Sequence, residues 1–154
     1  MAKSIEEIVE EKGYYATTPK GTSMFPLLNN KCNIIVVKPE LPLKIHDVAL
    51  YKRENGEYVL HRVLGKNEQG YIFCGDNQWK LEYGIKDQQI VATLREWYKK
   101  NSKHSVEDLH YQRYVRLWCK SLKIRHFILF FCHKYMFLKA LFREIGGKLF
   151  GKGK

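Results

Sequence analysis

The sequence predicts an α+β protein: a mainly antiparallel β body with a short N-terminal helix and a basic helical C-terminal tail. Three observations carry this. Between Tyr14 and about Tyr98, short runs rich in β-branched and aromatic residues alternate with Gly, Pro and Asn turns. Ahead of them, "SIEEIVEEKG" has the apolar spacing of a helix. Beyond them, from Val106 to Phe142, the chain contains neither proline nor glycine, as one or two helices would require.

Each element has a local reason. Ser4 and Glu7 are spaced as a capping box, Ile5, Ile8 and Val9 share a face, and Gly13 can close the helix. "NIIVVK" is a continuous β-branched run, the mark of a buried strand. "DVALYKRENGEYVLHRVLG" is two apolar-rich runs about Asn55-Gly56, the strongest short hairpin signal. "GYIFCGDN" is a strand that ends in a turn, and "QQIVATLREWYKK" is one more strand. Pro19, Pro26, Pro39 and Pro42 fall in the connections, where a missing N–H does no harm. The polar stretch 99–105, "KKNSKHS", reads as a linker.

Charge divides the chain at the same place. A length of 154 residues suits one domain with a sizeable core. Residues 1–100 hold 15 Lys+Arg and 13 Asp+Glu, whereas residues 101–154 hold 12 and 3. The expected domains are therefore a nearly neutral β body, 1–100, and a cationic tail, 101–154, whose partner should be anionic. Arg113, Arg116, Lys120 and Lys123 are spaced by three and four and would line one helical face. The longest weakly charged stretch, Phe127 to Leu138, has 12 residues, and a spanning helix needs about 20. Aromatic and aliphatic residues mixed with Lys and Arg fit a helix lying on an anionic membrane surface. A helical hairpin packed on the β body stands level with that reading. Nucleic acid ranks third, because no recognition helix with a dimerisation element is evident.

Cys32, Cys74, Cys119 and Cys132 form no CxxC pair and no Cys/His cluster of zinc spacing, so neither metal nor cofactor is expected. Their apolar and aromatic flanks predict buried thiols and a reducing compartment. No apolar h-region opens the chain, so no secretory signal peptide is expected, and the location should be cytoplasmic or peripheral on a membrane.

The chemistry-bearing residues lie in the β body. "KGTSMFPLLNN" sets Ser23 between a glycine and a proline-braced turn, "YVLHRVLG" carries His61, and "FCGDNQ" carries Asp76. Serine, histidine and a carboxylate are the parts of a nucleophile, its base and an orienting group. Singly, each is more often structural. In order, "GTSMFP", "DVALYK", "YVLHRV" and "GDN" resemble the boxes of the signal peptidase I family and its relatives among the self-cleaving repressors, over roughly residues 14–98. The resemblance implies a serine peptidase with Ser23 as nucleophile. The histidine in an HR motif is similar to the endoplasmic-reticulum-type branch and implies His61 as base. Asp76 matches the acidic box and is the preferred third member, with Glu82, six residues later, in reserve.

The chain departs from the pattern in three ways. Gly21 stands where several bacterial members have a serine that helps the oxyanion hole, so backbone N–H groups aided by Thr22 would do that work. His46 stands where a glycine usually precedes the aspartate of the "DV" box. No apolar segment precedes the serine box, where ordinary members carry a membrane anchor. The expected substrate is a leader, signal or propeptide segment bound in extended form. The competing expectations are a non-catalytic peptide- or membrane-binding module on the same fold and a self-cleaving repressor-like protein.

Overall fold

The first helix, α1 (Ile5–Lys12), is fixed at both ends by the residues that predict it. The Ser4 side chain accepts from the Glu7 amide and the Glu7 carboxylate accepts from the Ser4 amide, while Gly13 closes the helix at φ +78°. The structure is a computed structural model that describes residues 3–132 together with 134, 135 and 139. It forms two compact units, Met1–Lys120 and Ser121–Lys154.

The first unit is α+β. Its strands are β1 (Tyr14–Thr17), β2 (Cys32–Val37), β3 (Val48–Lys52), β4 (Tyr58–Asn67), β5 (Gly70–Cys74), β6 (Glu82–Ile85), β7 (Ile90–Lys99) and β8 (Ser102–Ser105). One antiparallel sheet runs in the order β1-β2-β7-β3-β4-β5-β6, with β8 paired to β7. The Asn55-Gly56 hairpin forms between β3 and β4, with Gly56 at φ +85° and the Arg53 amide bonded to the Glu57 carbonyl.

Side-chain alternation in the central strands divides the core in two. Val48 and Leu50 of β3 join Met24, Leu28, Ile34, Val36, Leu94 and Trp97 in one cluster. Ala49 and Tyr51 of the same strand join Val59, Val63, Tyr71 and Phe73 in the other. Four consecutive buried residues in β3 follow from this, since both faces of the strand are covered.

The division between units falls twenty residues later than the charge distribution suggests. The stretch read as a linker makes a tight turn and pairs back as β8, with Trp97 opposite His104. Helix α2 (Leu109–Trp118) then docks Tyr111 into the first cluster. Residues 101–120 therefore belong with the β body rather than the tail. Helix resumes over 122–132, so Arg113 and Arg116 stand on one helix and Lys123 on the next. Expectations for 133, 136–138 and 140–154 lie outside the described residues. Cys32 and Cys74 are buried as expected, but Cys119 is half-buried and Cys132 exposed. His46 sits at φ +78°, a backbone conformation that favours glycine.

Candidate functional site

Strand alternation sends His61 and Arg62, neighbours on β4, to opposite faces of the sheet. His61 lies opposite Ala49 on β3, on the face of the second cluster. Arg62 lies opposite Val48, on the face of the first. The HR pair thus feeds two different charge networks.

On the first-cluster face, Arg62 makes a bidentate ion pair with Asp76, Nε to Oδ1 at 2.8 Å and Nη2 to Oδ2 at 2.6 Å. Both side chains are fully buried. Helix α2 closes over them. Tyr114 donates its hydroxyl to Asp76 Oδ2 at 2.9 Å, Trp118 donates its indole N–H to the Asp76 carbonyl at 3.1 Å, and Arg62 donates to the Tyr111 hydroxyl at 3.0 Å. Arg62 also donates to the His46 carbonyl, tying in the "DV" turn. Burial works against the Arg62 charge, but Asp76 beside it raises the guanidinium well above its usual range.

On the other face, His61 is nearly buried, and its Nδ1 faces the Glu82 carboxylate at 3.2 Å and the Tyr51 hydroxyl at 3.3 Å. Glu82 enters from the start of β6 and is gripped by Arg53, Nε to Oε2 at 2.9 Å and Nη2 to Oε1 at 2.5 Å. Burial alone would raise the Glu82 carboxyl; the bonds from Arg53 and Tyr51 outweigh it and hold the group below its ordinary range. Burial dominates at His61 and lowers its pKa, with the Glu82 charge opposing. The imidazole is therefore neutral at pH 7. A proton on Nδ1 is directed at Glu82, which leaves Nε2 as an acceptor.

Nε2 points toward the serine loop. A β-carbon built on Gly75 would lie 3.1 Å from His61 Nε2 and 2.6 Å from the Ser23 carbonyl oxygen. One glycine thus brings the imidazole and the Ser23 backbone to the same spot, and only a residue without a side chain fits between them. The Asn77 amide donates to the Ser23 carbonyl at 2.7 Å, pinning the "GDN" turn to the serine loop. Ser23 is half-buried, between exposed Gly21 at φ +78° and buried Met24. Met24 and Leu28 anchor the loop in the first cluster, and the Leu28 amide bonds the Met24 carbonyl. An open groove of about 550 Å³, lined by Arg53, Asn77, Gln78, Trp79, Lys80 and Glu82, runs alongside.

The structure brings the Ser23 backbone, the His61 imidazole and the Asp76 turn together around Gly75, and it sets the two carboxylates on different partners. Asp76, the preferred partner of the histidine, is committed to Arg62 and Tyr114. Glu82, the reserve, stands at Nδ1. Sequence reasoning missed Tyr51, Arg53, Tyr111, Tyr114 and Trp118. The last three share one face of α2 at spacings of three and four, which is a readable signal. Among the described residues no cluster of His, Cys, Asp and Glu could hold a metal ion. No family model matches the chain, and neither does any curated protein or solved structure.

Proposed function

We propose that the chain is a serine endopeptidase of the signal-peptidase-like type, acting on a leader, signal or propeptide segment with Ser23, His61 and Glu82. The observation that carries the reading is a neutral, nearly buried histidine, oriented by a carboxylate at Nδ1, whose Nε2 abuts the glycine that touches the serine loop. Ser23 Oγ attacks the scissile carbonyl while Nε2 of His61 takes its proton. Glu82 holds the tautomer and stabilises the imidazolium as it forms. Backbone N–H groups of the serine loop, with Thr22, receive the oxyanion. His61 then protonates the departing amine, and water attacking the Ser23 ester through the same base completes the cycle. β1, the terminal strand of the sheet, leads into the serine loop, and an extended substrate adding beside it would reach Ser23. Asp76 is assigned to the scaffold of the site instead of its chemistry.

The test is cleavage of a proteome-derived peptide library, read by mass spectrometry of the new termini. The parent protein should generate termini of a consistent pattern, and Ser23→Ala and His61→Ala should each generate none. The double variant should be no worse than either single one, because the members act as a unit. Unchanged cleavage by Ser23→Ala would overturn the nucleophile assignment.

A further inference from the structure

The helical segment 122–132 presents a stripe of large apolar residues to solvent. At about 100° per residue, Ile124, Phe127, Ile128, Phe131 and, one turn beyond, Tyr135 fall within a single stripe. All five are exposed, Phe127 at 65% and Phe131 at 52%. Arg125 and Leu129, on another side of the same helix, are buried at 1% and 3%. The two phenylalanines pack on each other, ring centroids 4.6 Å apart, and make one continuous apolar ridge.

Basic residues border the same stripe. Lys123 and Lys134 are exposed along one border of the stripe, and Lys134 lies 5.9 Å from the ring centroid of the neighbouring Phe130. From Ser121 to Lys139 the sequence holds four Lys and Arg and no Asp or Glu. An apolar ridge bordered by lysines and clear of carboxylates matches an anionic lipid surface. The rings enter the boundary between headgroups and acyl chains, and the lysines snorkel to the phosphates. Among the described residues no helix is long and apolar enough to cross a membrane.

We infer that the Ile124–Phe131 face is a docking surface for an anionic lipid bilayer, occupied parallel to the membrane plane. The inference does not depend on the peptidase reading. It is tested with the full chain and vesicles of phosphatidylcholine alone or with phosphatidylglycerol, by co-sedimentation at low and high salt. The parent should bind the anionic vesicles and bind the neutral ones much less. Phe127→Ser/Phe131→Ser should lower the partition coefficient at least about tenfold. Lys123→Glu/Lys134→Glu should abolish the preference for anionic lipid. Circular dichroism checks that both variants fold, and both alter exposed positions only. Three results would overturn the inference. One is a parent that binds neither vesicle. Another is a phenylalanine variant that binds like the parent. The third is parent self-association that the phenylalanine variant loses while vesicles fail to compete, since the ridge would then be covered by a second copy.

Discussion

Two carboxylate pairs flank β4, and they differ in almost every physical respect. Arg62 and Asp76 are fully buried, bidentate and roofed by three aromatic residues of α2. His61 and Glu82 meet through one 3.2 Å contact, and the Glu82 side chain keeps 20% of its exposure. The first pair cannot give up a proton without leaving an uncompensated charge in the interior. The second contains His61, a group beside the serine loop whose pKa burial lowers while the Glu82 charge opposes. A permanent ion pair builds a site; a titratable, loosely held pair can work in one.

The comparison breaks most readily at Asp76. Asp76→Asn leaves Arg62 buried and charged without its counter-ion, and should cost about 3–5 kcal/mol of stability. Chemical denaturation measures it. A loss below about 1 kcal/mol, with catalysis abolished, would return Asp76 to the orienting role.

Glu82→Gln should do the reverse, leaving the fold intact and lowering kcat by about 10²-fold or more. The pH profile adds a sign. In the proposed mechanism only neutral His61 accepts the serine proton, so the rate should fall as pH drops through its pKa, which burial holds below 6.5. The Glu82 charge raises that pKa, so removing it should move the acid limb to still lower pH. A limb that stays where it was in the parent would mean that Glu82 does not face the working base.

The smallest effect sharpens the contrast from the side of α2. Tyr114→Phe removes one hydrogen bond to a buried carboxylate and should cost about 1–2 kcal/mol, seen as a lower denaturation midpoint. The acid limb of the rate profile should not move, because Tyr114 is on the Arg62 network. A shifted limb would show the two networks to be coupled.

The β body was legible because its signals are local. The Asn55-Gly56 turn, the β-branched run of β2 and the Ser4/Glu7 box each act within a few residues. β8 was not, since Ser102, Lys103, His104 and Ser105 join the sheet through their backbones, and backbone hydrogen bonding leaves no mark in composition. Which carboxylate faces His61 was not legible, for another reason. Sequence distance treats both as carboxylates downstream of His61, and only the sheet decides which face each one meets. One clue was present: Arg62, beside His61 in a strand, must face the other way, and a buried arginine requires a carboxylate. Nothing local foretold that α2 would supply the roof, because Arg113 and Arg116 interleave with its aromatic residues along the helix.

Under the proposed peptidase function, Gly75 offers a way to stop cleavage without removing any side chain of the site. A methyl group there would meet backbone at 2.6 Å, and the obstacle is the carbonyl of Ser23 itself, so the serine loop has to retreat. Gly75→Ala should therefore keep the hydroxyl, the imidazole and both carboxylates while misaligning them by a fraction of an ångström, which is enough to cost orders of magnitude in rate. Such a protein would be a bait. It would hold a genuine target long enough for cross-linking to identify it, and putting the glycine back would restore cutting as the control.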